Sequence, residues 1–175
     1  MSDQAPEKRL PKLVEPRKLA TAFANFNRFI HADDLPRLSE AVIGIERVVV
    51  NIDFGRDDYG KPELAGCIEA SLVLECQRCL EPMTFSVERD ISLAIVWDED
   101  QAKALPKHRD PWIAGEDEAD LAAILEEEIL LALPVVARHA EDCLDASLLS
   151  AGDIEEPEDT EPNPFSVLAT LKDKH

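Results

Sequence analysis

Cys76-Gln77-Arg78-Cys79 and, about sixty residues on, His139-Ala140-Glu141-Asp142-Cys143 are the residues of this chain whose types and spacing could do chemistry together. A CxxC pair plus an HxxxC pair supplies three soft sulfurs and one imidazole, the ligand set of a closed tetrahedral zinc site. Two intervening residues let both sulfurs of the first pair reach one metal from a tight turn. Three do the same for the second pair from a loop or a first helical turn. With four protein ligands and no open position, such a zinc is structural, not catalytic. The plainer reading makes Cys76 a buried apolar thiol that meets no metal. A third reading is a CxxC redox centre, but those thiols are activated at a helix N-terminus, and here the pair falls between two strands.

Other chemistry is missing. The six glycines form no phosphate-binding loop. The four histidines (His31, His108, His139 and His175) lie far apart, with no Gly-x-Ser-x-Gly elbow beside them. The carboxylates are numerous but fall on helix faces and loops, where solvation explains them. The chain therefore reads as a non-enzyme with no small-molecule substrate.

The elements that must position the cysteines are strands. Val48, Val50, Ile52 and Phe54 alternate with Val49, Asn51 and Asp53, then Asp57-Asp58-Tyr59-Gly60-Lys61-Pro62 makes a turn. Leu64, Ile68, Ala70, Leu72 and Leu74 continue on one face as far as Cys76, and Met83, Phe85, Val87, Ile91, Leu93, Ile95 and Trp97 form a third run. Short turns between long alternating runs specify an antiparallel meander, packed on one face and wet on the other. Cys76 and Cys79 then occupy a hairpin tip. Cys67 points to the opposite face and sits roughly 30 Å from Cys76 along an extended strand at ~3.3 Å per residue, so it is excluded from the cluster. Leu121, Ile124, Leu125, Ile129 and Leu133 give a helix over 119–133, with Glu126-Glu127-Glu128 largely on its other side and Pro134 as its stop. It is to lie over Leu72, Leu74, Phe85, Val87, Leu93 and Ile95. Residues 17–30 and 34–43 read as short helices, and 98–118 as an acidic loop.

The expected class is thus α+β: an antiparallel β meander packed by one main helix, with short N-terminal helices and an acidic C-terminal linker ending in a short helix. Residues 1–16 form an extended lead-in, 17–144 a single domain, 145–162 an acidic flexible linker without Lys or Arg, and 163–175 a docking helix. Asn163-Pro164 caps that last helix, and Phe165, Leu168 and Leu171 line one side for docking.

Charge bounds the partners. The net charge is −19. Up to Arg47 eight Lys/Arg face seven Asp/Glu, so the remainder, with ten against thirty, carries −20. Such a body repels phosphate, because generic nucleic-acid binding works through Lys and Arg displacing counterions. Four cysteines in 175 residues do not make a disulfide framework, no apolar run approaches a membrane span, and no secretory leader opens the sequence. A cytoplasmic protein without membrane contact is expected.

Leu74-Glu75-Cys76-Gln77-Arg78-Cys79-Leu80-Glu81-Pro82, then Glu127 to Val136 running on to His139, then Asn163-Pro164-Phe165-Ser166-Val167-Leu168-Ala169-Thr170-Leu171-Lys172 resemble the YceD family. Its members are called large ribosomal RNA subunit accumulation proteins. The three blocks fall in the family's order and span essentially the whole chain. The resemblance implies a non-enzymatic cytoplasmic factor for the synthesis, processing or stability of large-subunit (23S) ribosomal RNA, with that RNA or its assembly proteins as partners. It implies no catalytic residues, and zinc rests on the spacing alone. Two mechanisms follow. RNA could be touched through Lys8, Arg9, Lys12, Arg17, Lys18, Arg28 and the hairpin-tip Arg78. Alternatively, the acidic body holds a basic ribosomal or assembly protein without RNA contact. Charge favours the second.

Overall fold

In a computed structural model, residues 8–115 and 118–144 are described. The linker over 145–162 and the helix carrying Phe165, Leu168 and Leu171 lie outside the described residues. Contacts divide the chain into a unit Met1–Glu141 and a unit Asp142–His175.

The class is α+β. Strand β1 (Leu13–Val14) and helix α1 (Pro16–Ala22) open it, with Pro16 pre-set at the first helical position. The helix stops where Phe23 turns left-handed (φ 51°) and the Ala24 amide donates to the Leu19 carbonyl. A helix over 17–30 is therefore half right. Its second half is strand β2 (Asn25–Phe29), because Phe26 alternates with Asn25 and Asn27 and pairs against a longer neighbour. The second expected helix, over 34–43, is present as α2 (Pro36–Ala41), preceded by a 3-10 turn (Ala32–Asp34).

Three long strands follow: β3 (Gly44–Arg56), β4 (Pro62–Glu75) and β5 (Pro82–Val96). They pair antiparallel, with Val50 opposite Ile68 and Leu72 opposite Phe85. The β3–β4 turn is tied by the Asp57 carboxylate, which accepts from the Tyr59 and Lys61 amides. The stretch read as a loop holds two elements. Helix α3 (Glu99–Lys103) is capped by the Asp98 side chain, and β6 (Asp110–Ile113) joins β5 in parallel, burying Trp112. The sheet order is β2-β3-β4-β5-β6.

The last elements are β7 (Ala119–Asp120), which pairs antiparallel with β1, and helix α4 (Leu121–Ala132). Asp120 caps α4 by accepting from the Ala123 amide. Leu121, Leu125 and Ile129 are fully buried against the sheet face that presents Ile52, Phe54, Leu64, Ile68 and Leu72. Leu74, Val87, Leu93 and Ile95 are buried as expected, while Phe85 is half-buried at the rim. Two expectations fail. Trp97 is 41% exposed, with the Arg17 guanidinium stacked 3.4 Å above its ring. Glu126 and Glu128 are buried, at 2% and 6% exposure, and only Glu127 faces out. Both buried carboxylates are satisfied: Glu126 accepts from the Leu38 amide (2.9 Å) and Glu128 from Arg89 Nε (2.8 Å). Together they pin α4 to α2 and to β5.

Candidate metal centre

Strand β4 ends at Glu75 and β5 begins at Pro82, so Cys76 to Glu81 form a knuckle between them. The Leu80 amide donates back to the Cys76 carbonyl (2.8 Å), and the Cys76 amide to Glu81 (3.0 Å). Leu80 takes the left-handed conformation (φ 64°) that closes so tight a turn. Across from it, Pro134 ends α4 and the chain runs on to His139. The Gln77 amide donates to the Ala137 carbonyl (2.8 Å), and Arg78 Nη2 donates to the Glu141 carbonyl. These two ties, one between backbones and one from the Arg78 side chain, explain why residues sixty apart meet: they join the knuckle to the post-helix segment.

Cys79 Sγ lies 3.4 Å from His139 Nδ1. The ligand atoms of Cys76, Cys79, His139 and Cys143 all lie within 4.8 Å of one another. Around one zinc, Zn–S of ~2.3 Å and Zn–N of ~2.05 Å give tetrahedral edges of about 3.6–3.8 Å. The Cys79–His139 separation is already close to such an edge, and no other pair, all within 4.8 Å, needs to shorten by more than about 1 Å. The donor chemistry fits as well. Burial pushes the Cys76 thiol up, but hydrogen bonds from the Cys79, His139 and Arg78 backbone and from the Cys79 side chain outweigh it and bring it down to about 5. Cys76 is thus poised as a thiolate, the form a metal binds. Cys67 stays out of the group, and burial, then Asp90, Glu69 and Glu88, push its thiol up.

The basic candidates do not gather there. Arg9 pairs through two nitrogens with Asp34 (2.7 and 2.9 Å), Lys12 lies 3.8 Å from Asp120, and Lys18 pairs with Glu15. Arg28 donates to its neighbour's carbonyl and lies 5.7 Å over the Phe26 ring. Arg17 covers Trp97, and Lys8 is exposed at the start of the described chain. Arg78 alone of these seven sits at the metal centre, and it is tied to Glu141. The Gln77–Ala137 tie was invisible in the sequence, since any residue pair can make a backbone bond.

A mostly antiparallel sheet, one packing helix and a Cys3His cluster that could hold a metal ion, with no catalytic constellation among the described residues, define a small α+β protein with a cysteine knuckle. The chain belongs to the YceD family: the profile described as large ribosomal RNA subunit accumulation protein YceD matches residues 64–172. The Large ribosomal RNA subunit accumulation protein YceD of Haemophilus influenzae is 34% identical over 170 residues, covering 95% of this chain and 98% of the relative. No solved structure matches. Among the described residues, no helix is long and apolar enough to cross a membrane.

Proposed function

We propose that this chain is a non-enzymatic, cytoplasmic ribosome-biogenesis factor that supports large-subunit ribosomal RNA accumulation by holding a basic ribosomal or assembly protein. In this reading the Cys3His cluster carries one structural zinc. The printed names of the family and of its relative support the ribosomal setting. The observation that carries the partner is the net charge of −19, with Arg9, Lys12 and Lys18 paired to the chain's own acids so that less positive charge is offered where RNA would have to bind. An acidic surface steers basic proteins and repels phosphate.

One feature favours direct RNA contact as a second reading. Arg17, Arg56 and Lys61, with Asp57 as the single acid, line a cavity of about 590 Å3 beside Trp97. Affinity capture from cells with and without RNase separates the two. The first reading expects a basic protein that survives RNase, and no affinity of the isolated chain for naked large-subunit RNA at physiological salt. Tight RNA binding that falls with salt by a slope of roughly −0.7 per phosphate, and is lost in Arg17→Ala/Lys61→Ala, overturns it.

A further inference from the structure

We propose that the groove beside the knuckle docks a basic amphipathic segment of a partner protein. This rests on the reading of a basic protein partner and says where that partner sits. The groove is about 560 Å3 and runs between the α2–β3 corner and the segment after Pro134. Ile43 (56% exposed), Val135 (fully exposed) and Val136 (48% exposed) all line it. Aliphatic side chains scattered singly over a surface need no explanation, but three in one concavity mark an interaction site. Water is a poor ligand for that surface, and a partner's apolar side chain is a good one.

Charge selects the occupant. Glu40 and Glu75 are exposed in the same groove, and no Lys or Arg lines it. A segment with an apolar residue for the Ile43–Val135 wall and flanking Lys or Arg for Glu40 and Glu75 satisfies both features. An acidic segment or a nucleic-acid backbone would set like charges together. The wall is also fixed at both ends. Leu133 closes α4 on one side, and the Gln77–Ala137 bond and His139 hold the other. A pre-ordered wall lowers the entropic cost of docking.

The test uses the zinc-loaded full chain and a labelled 16-residue Lys/Leu peptide with one helical apolar stripe, read by fluorescence anisotropy. A Glu/Leu counterpart and a 16-nucleotide single-stranded RNA are run beside it. The Lys/Leu peptide should bind, the other two should not, and Val135→Ser and Glu40→Gln/Glu75→Gln should each weaken it by about tenfold. The charge control is Glu69→Gln/Glu88→Gln, two exposed acids on the outer face, which should leave affinity within about twofold. All these positions are exposed, and melting curves confirm that the variants fold. Equal losses in the two charge pairs mean non-local attraction and overturn the groove, as does RNA binding that displaces the peptide. The peptide result and the cellular capture fail separately: groove binding without any basic partner in cells overturns the functional reading alone, and a basic partner insensitive to Val135→Ser overturns the groove alone.

Discussion

Glu126→Ala is the sharpest perturbation of this fold. Helix α2 begins at Pro36 behind Leu35, whose side chain cannot cap it. The cap comes instead from α4, 88 residues away, where Glu126 Oε1 accepts from the Leu38 amide at 2.9 Å. A hydrogen bond to a charged group contributes a net ~1.5–3 kcal/mol, a range that includes stranding its buried partner. The lost γ-methylene adds ~0.8 kcal/mol, and relief from burying a carboxylate offsets part of the sum. The expected loss is about 1.5–3.5 kcal/mol for alanine. Glutamine keeps the acceptor and gives up only the charge, at about 0.5–1.5 kcal/mol. Urea unfolding followed by the buried Trp112 measures both, and amide exchange at Leu38 reports the bond itself. Glu127→Ala, an exposed residue paired with Arg37 at 2.9 Å, serves as control at under ~0.5 kcal/mol. A Glu126→Ala loss no larger than this control, or unchanged protection at Leu38, would refute the trans-cap.

Leu125→Ala removes a fully buried side chain from α4 and should cost roughly 2–5 kcal/mol in the same unfolding assay; a value near zero would mean that the helix packs elsewhere. Gly66 sits at φ +152° with room for no Cβ, which would lie 2.2 Å from the Asn51 carbonyl oxygen; Gly66→Ala should therefore cost more than about 2 kcal/mol, and a smaller effect would show that β3 and β4 can part there. The purified protein should carry about one equivalent of zinc by elemental analysis, lost in Cys79→Ser and kept in Cys67→Ser. Because the metal-free Cys76 thiol is drawn down to about 5, it is a thiolate at neutral pH, so zinc should be retained at pH 7 and lost only in acid, where protons compete for the ligands; metal-free protein at pH 7 would remove the metal centre from the account.

Alternation over long runs made β3, β4 and β5 readable, because a half-buried strand writes a period of two into thirteen or more residues. The cysteine and histidine spacing likewise carried the metal cluster. Short elements left weaker marks. Strand β2 has five residues, too few to outvote the helical spacing around it, and β6 contains Pro111, which argues against a strand until an edge position makes it tolerable. The glutamates of α4 hold a missed signal. At about 100° per residue, Glu127 lies opposite the Leu125–Ile129 stripe, but Glu126 and Glu128 lie only about 80° from its centre. With Glu127 pointing away, its two neighbours flank the buried stripe, and they are covered because α2 and β5 pack against those flanks. Their partners, the Leu38 amide and Arg89, come from elements far off in sequence, so only the tertiary fold reveals how the charges are satisfied.

The pairing of β1 with β7 has a consequence for synthesis. Leu13 faces Asp120 and Val14 faces Ala119, and the Leu121 amide donates to Lys12. The meander from β2 to β5 needs only neighbours in sequence and can assemble as it leaves the ribosome, whereas the first strand must wait for a partner more than a hundred residues behind it. Loop closure over such a span is slow compared with hairpin formation. Strand β1 is therefore made early and is among the last elements to be placed. A nascent chain stalled before Ala119 would hold Arg9 and Leu10 through Asp34 and Phe29 yet leave Leu13 and Val14 without their strand partner, open to whatever lies at the tunnel mouth.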